Sequence, residues 1–294
     1  MSGYYLLNKK SGQQAAQNKN VDIAPGSNKA ILTSNGKKYI LNDLKNGLLV
    51  KQGNVSVQKK ADGQLIYDAG QSSGRKMAVV YDTLTVPRGG QFELELSDGS
   101  KVWLNAFTQV RYPEKFNGRE RSVELIYGEA YFEVKHNVTM PFKVLVKGQT
   151  IQDIGTHFNI NAYNDEPLIK TTLIEGSVSL ANSKQKTVLI PGDQAIIGHD
   201  QKIEITKNVD TEKSIAWKNG FFNFEDADVG EVMRQISRWY DVDITYEGSI
   251  PKREFLGKIY RSTNASKVLD MLSYTRIHFK IEDSKSGKRI IVTP

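Results

Sequence analysis

The stretch Val123–Val134, read as VELIYGEAYFEV, sets two strand-like runs around Gly128 and fixes acidic residues inside an otherwise apolar pattern. The alternation has the period of two that sends successive side chains to opposite faces of a strand. Ala130, Phe132 and Val134 belong on a core face. Glu129 and Glu133, four apart, share the opposite face, which reads as solvent-exposed on a half-buried strand. Paired carboxylates can serve glycoside hydrolysis, but they must flank a cleft from facing elements. Two on one local strand do not meet that requirement.

Outward from this stretch lie LSDGSKVWLNAFTQVRYPEKF (Leu96–Phe116), PFKV (Pro141–Val144), IGTHFNINAY (Ile154–Tyr163) and TTLIEGSVSL (Thr171–Leu180). Asp98-Gly99 reads as a hairpin turn, with Trp103, Leu104 and Phe107 filling a β core. Arg111, Tyr112 and Pro113 read as fixing a corner, where the arginine can bridge to carbonyls or to Glu124. Gly155-Thr156 reads as a turn with a close backbone approach. From Val21 to about Lys207 the signal is β throughout, as in KKYIL, FELEL and FKVLV, and no stretch holds a helical period long enough for a helix. Pro25, Pro87 and Pro191 each open a similar unit: a proline turn, a strand, a Gly-containing turn and a second strand. Proline presets the first turn position, and Gly or Asn accepts the positive φ of a tight hairpin. Hairpins of this kind build a twisted β-sandwich or a short β-solenoid, because each unit buries its apolar face only against a neighbour.

The pattern changes at Thr211. Residues 211–216 read as a short connection, and Trp217 opens a compact α+β unit. FFNF (Phe221–Phe224) is a strand. Asp226 or Asp228 caps a helix, with Glu231 three after Asp228 as in a capping box. Val229, Val232, Met233, Ile236 and Tyr240 then form one apolar stripe, and VDITYE (Val242–Glu247) returns as a strand. The plan repeats: GKIY (Gly257–Tyr260), a cap at Asn264, a helix lined by Val268, Leu269 and Leu272, then HFKIE (His278–Glu282) and RIIVT (Arg289–Thr293). Phe224 and Tyr260, Val232 and Val268, and Ile236 and Leu272 are each 36 residues apart. Two such βαβ-like halves must share one small core. The expected organisation is a polar, flexible linker over 1–20, an all-β region over 21–210 and a duplicated α+β region over 211–294.

In order, DGSKVWLN (98–105), RYPEKF (111–116), GEAYFEV (128–134), PF (141–142), GTHFN (155–159) and LIEG (173–176) resemble the periplasmic region of FecR-type anti-sigma factors. Asp153-Ile154 departs from the two apolar residues expected before Gly155, which implies a bulge or an exposed edge there. WKNGFFNFEDADVGEVMRQISRWYDVDI (Trp217–Ile244), with the later Phe255 and Gly257, resembles the domain that follows the FecR core, whose topology is similar to the short signalling domain of secretins and TonB-dependent transducers. The resemblance implies a sensor and relay region. Its partner would be the signalling domain of a TonB-dependent outer-membrane receptor. It would control an extracytoplasmic-function sigma factor through a cytoplasmic segment and one transmembrane helix preceding this sequence. Periplasmic placement, with the membrane reached only through that helix, follows from the same resemblance.

Hydrophobic residues make up 39% and charged residues 25% of the 294, with no cysteine, which excludes a disulfide framework and cysteine metal sites. No apolar run approaches the roughly 18 residues of a membrane span, and Tyr4–Leu7 is too short for a signal-peptide core. The net charge of +7 comes from scattered doublets, Lys9-Lys10, Lys37-Lys38 and Lys59-Lys60. These read as a solvated basic surface and not as a nucleic-acid footprint, which needs the excess gathered on one face. A preference for anionic lipid near the tether is the alternative. His136, His157, His199 and His278 sit in different β segments with no metal spacing, and Gly70–Gly74 (GQSSG) is a surface turn, not a phosphate cradle. No catalytic, cofactor or metal residue is assigned.

Arginines and aromatics favour interface centres. On that basis Arg234, Arg238 and Trp239 on the first C-terminal helix, with Tyr246, Phe255, Tyr260 and Tyr274, are the candidate partner-binding residues. A carbohydrate-binding β-sandwich is the rival reading, and it requires a coplanar row of exposed aromatics in the β region.

Overall fold

A computed structural model describes residues 22–52, 55–60, 64–69, 79–153, 155–249, 252–285 and 287–294. The linker over 1–20, the Gly70–Gly74 turn and Ile154 of the Asp153-Ile154 departure lie outside the described residues. Strands account for 49% and helices for 12%, so the chain is mainly β with an α+β part. Among the described residues no α-helix precedes Thr211; a single 3-10 turn, Leu41–Asp43, stands before it.

Two sheets are joined by one long strand. The first runs from Lys37–Ile40 through Ile31–Ser34, Tyr81–Val86 and Thr108–Pro113 to Arg121–Glu133. It continues through Phe142–Val146, Gln149–Asp153 and Val178–Ala181 to Lys186–Leu189. The second runs from Gly47–Gln52 through Val55–Lys59, Leu65–Ala69, Gly90–Glu95 and Lys101–Leu104 to the same Arg121–Glu133 strand. It continues through His157–Ala162, Ile169–Glu175 and Gln194–Ile197 to Ile203–Thr206. The strand built from VELIY and GEAYFE therefore pairs in one sheet up to Tyr127 and in the other from Gly128 onward. Gly128 makes that crossing with φ at +102°, and a Cβ on it would lie 2.5 Å from the Thr108 Cα. Only glycine meets both conditions without strain.

Both sheets contribute to one core: Leu32, Leu84, Val123, Leu125 and Phe142 from the first, Leu94, Leu104, Phe132 and Phe158 from the second. The rings of Phe132 and Phe158 stack with centroids 5.0 Å apart. The three proline-initiated units each fold as an antiparallel hairpin, as their turn chemistry predicts. Arg111 and Glu124 are register partners with a 3.7 Å ion pair. Gly155 does approach another backbone closely, since a Cβ there would lie 2.8 Å from the His136 Cα. Phe107, expected in the core, is instead 38% exposed and turns through φ of +57° beside Tyr127. Trp103 is only half-buried. Asp153 is buried in a strand paired on both sides, so it marks no exposed edge; the register shift falls later, at His157/Phe158.

Residues 211–216, expected to be a plain connection, begin with α1 (Thr211–Ile215), capped by Asp210 accepting from the Glu212 N–H at 2.9 Å. The main helix α2 (Val229–Tyr240) starts at Asp228, whose carboxylate accepts from the Glu231 N–H at 2.7 Å. Its stripe of Val229, Val232, Met233, Ile236 and Tyr240 is buried throughout. Burial of each such side chain is worth about 1.5–3 kcal/mol. Helix α3 (Ala265–Leu272) buries Val268, Leu269 and Leu272. Its cap residue Asn264 is turned away from the helix and donates to Asp22 Oδ2 at 2.8 Å. Asp243–Tyr246 runs parallel to Gly287–Thr293, which pairs antiparallel with His278–Ser284. The 36-residue echo holds in the helices, where all four residues are buried, and fails in the strands, where Phe224 is buried and Tyr260 exposed. The reason is topological: Phe221 and Tyr260 are partners across one two-stranded ladder, so the two equivalent strands pair with each other.

Candidate functional site

The second hydrophobic cluster, formed by α2, α3 and the short strands, also takes in Ile23 and Ala106 from the β part. Polar groups converge around that contact, and the acidic face of Gly128–Glu133 supplies its floor. Glu129 is buried, not solvated as its alternation suggested. Asn105 Nδ2 and Asn159 Nδ2 donate to its two oxygens at 2.8 and 3.0 Å. Burial pushes its pKa up, against those two amide bonds and the charges of Arg238 and Arg261. Glu133, on the same face, lies 3.3 Å from Lys218. The Lys218 ammonium sits over the rings of Trp103 and Tyr131 at 4.3 and 4.5 Å. The even spacing on one face is as expected, but the face packs against the α+β part, with Glu129 buried and Glu133 partly exposed.

Arg261 links the two parts. Its Nη2 donates to Asn105 Oδ1 at 2.8 Å and its Nη1 to the Trp217 carbonyl at 2.9 Å. Its guanidinium lies 3.7 Å from the Trp239 ring centroid, and Trp239 Nε1 donates back to the Arg261 carbonyl at 2.9 Å. Burial lowers the Arg261 pKa to about 10, with Tyr163 and Glu129 opposing.

The second set of contacts joins α2 to the loop after His157–Ala162. Arg238 binds Asp165 through Nη1 at 2.8 and 2.9 Å and Glu166 through Nη2 at 2.8 Å, with its guanidinium 3.9 Å from the Tyr163 ring. Arg234 donates to Glu166 Oε2 at 2.8 Å. At the end of α2 the Gly89 N–H donates to the Arg238 carbonyl at 2.8 Å, and Arg88 reaches the carbonyls of Ser237 and Val242. Cationic and N–H groups at a helix C-terminus satisfy carbonyls that the helix leaves open. A polar cleft of about 540 Å³ opens beside this junction, between Asn159, Trp217, Asn223 and Arg234.

Among the seven candidate partner residues, Arg238, Trp239 and Phe255 are buried, which removes them from the exposed surface. Arg234 is engaged with Glu166. Tyr246, Tyr260 and Tyr274 are exposed, Tyr274 at 91%. Sequence reasoning missed Asn105, Asn159, Asp165, Glu166 and Arg261. Only the acidic pair of Asp165 and Glu166, set before Pro167, gave a local signal. In the β part, the exposed Tyr81 ring is covered by Arg111 at 4.3 Å and Phe107 tilts against Tyr127, so neither offers the free stacking face of a glycan platform. Among the described residues no three acidic or histidine side chains gather as metal ligands.

Residues 82–179 match the family described as FecR protein, and residues 221–292 match FecR, C-terminal. Two crystal structures of a Parabacteroides distasonis protein, whose description offers it as an anti-sigma factor, superpose with a TM-score of 0.65 at 27% identity. The matches cover 71% and 72% of this chain and 97% and 98% of those chains. No curated protein matches.

Proposed function

The chain belongs to the FecR family of anti-sigma factors, and from that premise we propose that it is the family's periplasmic relay. It binds the signalling domain of a TonB-dependent outer-membrane receptor and controls an extracytoplasmic-function sigma factor through the cytoplasmic segment that family members carry. The observation that supports this most is the joint match of a FecR core and a FecR C-terminal region in one chain. The division at residue 211 into an all-β scaffold and an α+β docking module belongs to the same proposal. No helix among the described residues is long and apolar enough to cross a membrane.

Exposed aromatic rings with nothing of their own chain over them suit a protein partner. Tyr274 is such a ring on the α+β part; Tyr246 and Tyr260 are exposed there too, Tyr260 with one side against Phe221, and Leu256 is exposed beside the Glu254–Phe255 strand. The junction between the α+β part and the β part is held by the Arg238 ion pairs and by the Arg261 stack. A partner seated on the α+β part reaches the β part through those contacts. Docking transmits a signal only if the partner prefers one of two states, and the cleft beside Arg234 is where the parts have room to shift. Capture of the receptor's signalling domain by this chain, followed by calorimetric titration, tests the reading. Absence of binding with both proteins folded rejects it.

A further inference from the structure

The positive charge of this protein is segregated. Residues 1–60 hold ten lysines, no arginine and two acids, a balance of +8. Residues 61–294 hold the remaining 30 basic and 31 acidic residues, a balance of −1. The whole net charge therefore resides in the first fifth of the chain.

The fold gathers most of the described part of that excess at one place; Lys29 is the exception, its Nζ lying beside Gly89 near the end of α2. Lys37–Ile40 and Gly47–Gln52 are the terminal strands of the two sheets at the same end of the β part, joined by the Leu41–Asp43 turn. Two of the doublets that look scattered in sequence, Lys37-Lys38 and Lys59-Lys60, thus come to the end of the sandwich. Lys37, Lys38, Lys45, Lys51 and Lys60 are exposed there. Lys59 is spent on the turn, donating to the Leu41 and Leu44 carbonyls at 2.6 and 2.7 Å. The only acid between Ile23 and Lys60 is Asp43, whose carboxylate accepts from its neighbour Asn42 at 2.7 Å. Two large apolar side chains stand among the lysines, Ile40 at 49% and Leu48 at 58% exposed.

Lysines on edge strands can act simply as guards against edge-to-edge pairing. The other end of the sandwich shows what guarding looks like in this chain. There the terminal strands are Lys186–Leu189 and Ile203–Thr206, and the charges are mixed: Lys202 lies 3.1 Å from Glu204, and Asp193 and Asp200 stand nearby in sequence. At the lysine end the acids from other strands, Asp82 and Glu114, are buried at Ser34, the register partner of Lys37, and none is paired with an exposed lysine in the way Lys202 is with Glu204.

We propose that this end of the sandwich is a docking surface for the anionic headgroups of a lipid bilayer. The inference rests on the membrane-tethered reading above. A flat, anionic partner suits lysines spread over two strand edges better than a pocketed ligand does, because each ammonium needs only to lie within a Debye length of the surface. Ile40 and Leu48 supply the apolar contacts that reach into the headgroup boundary. The consequence is orientation: a chain tethered near its N-terminus is held on the bilayer by this end.

The test is cosedimentation of the full 294-residue chain with phosphatidylcholine vesicles, with and without phosphatidylglycerol. Binding is expected only to the anionic vesicles, weakening as salt is raised. The variant K37E/K38E/K45E/K51E should bind at least about tenfold more weakly. K258E/K267E, on the α+β part, should bind as the parent does. Leu48→Ser offers a check with the charges intact and should also weaken binding. Unchanged melting curves establish that each variant is folded. Absence of binding to anionic vesicles overturns the proposal, because the lysines then serve only as edge guards. So does unaltered binding by the four-lysine reversal, which would place the affinity in Lys9, Lys10 and Lys19. Capture of the receptor domain is measured without lipid, so its failure leaves vesicle binding standing, and the reverse.

Discussion

Arg238 Nη2 lies 2.8 Å from Glu166 Oε1, joining helix α2 to a loop of the β part 72 residues away in sequence. Both side chains are largely withdrawn from water, at 6% and 11% exposure. Removing one partner of a buried pair leaves the other charge desolvated, which costs about 3–5 kcal/mol. Asp165, the other partner of Arg238, is half exposed, so the low end of that range applies. Arg238→Ala is expected to lower the urea midpoint by about 3 kcal/mol equivalent. Arg238→Lys should recover little, because an ammonium cannot replace a guanidinium that bridges two carboxylates and stacks on Tyr163. Equilibrium unfolding of the two variants beside the parent checks both statements. A loss under about 0.5 kcal/mol for the alanine variant would mean that the junction is solvated.

The long strand makes a separate demand at Gly128. Its φ of +102° and its approach to Thr108 leave no room for a side chain. Gly128→Ala should cost at least about 2 kcal/mol, combining backbone strain with displacement of the Thr108 segment. Thr108 also donates to the Glu129 carbonyl at 3.2 Å and accepts from the Glu129 N–H at 3.0 Å, so the damage should reach the junction. Thermal melting of the variant gives the cost. Weakened protection of the Glu129 amide in hydrogen exchange would locate it.

Acid pH should stabilise the β part, through a cluster remote from the junction. Tyr67 donates to Asp82, and its hydroxyl lies 3.1 Å from that of Tyr112. Burial raises the Asp82 pKa, although the Tyr67 and Ser34 bonds oppose it. Burial and the Asp82 charge raise that of Glu114. A carboxyl whose pKa is higher folded than unfolded binds more protons in the native state, so stability falls as pH rises through the interval between the two values. It follows that stability contributed here is gained as pH drops from neutral toward the ordinary carboxylate range near 4. Asp82→Asn should flatten that slope while preserving an acceptor for Tyr67. Urea midpoints measured at neutral and mildly acid pH for the two proteins decide it; an unchanged slope would assign the effect to other groups, such as Glu129.

Most local determinants of the fold were legible, although the Asp210-capped helix α1 was not and Asn264 does not cap α3. The alternation of Val123–Val134, the proline hairpins, the Asp228 cap and the α2 stripe depend on neighbours within a few residues, and each forms as its pattern requires. Contacts between distant segments were not legible. Glu129 and Glu133 alternate against apolar residues whether their face meets water or another polar surface, so periodicity could not distinguish solvent from the α+β part. Arg238 looked available because its partners, Asp165 and Glu166, lie more than 70 residues away. Trp239 sits at the edge of the α2 stripe, and it is covered by Arg261 on a later segment and by Gly26 on a distant earlier one. The lysine doublets looked dispersed because convergence of the two sheet edges is a property of the topology and of no local stretch.

The exposed tyrosines separate docking from packing. Tyr274 is 91% exposed, and Tyr260 is 64% exposed with its ring resting on Phe221 at 4.7 Å. Tyr246 is 45% exposed. Truncating an exposed ring removes little from the fold, typically within about 0.5 kcal/mol, whereas truncating an interface anchor costs about 2 kcal/mol or more of binding. The triple variant Y246A/Y260A/Y274A should therefore melt within a few degrees of the parent, by the usual scaling for about 1 kcal/mol. It should bind the receptor's signalling domain at least about tenfold more weakly, since about 1.4 kcal/mol is one decade. Arg238→Ala should do the opposite, losing stability while retaining affinity under conditions where it stays folded. If the triple variant binds as the parent does and Arg238→Ala abolishes binding, the partner reads the junction itself, and the relay works by prising α2 from Asp165 and Glu166.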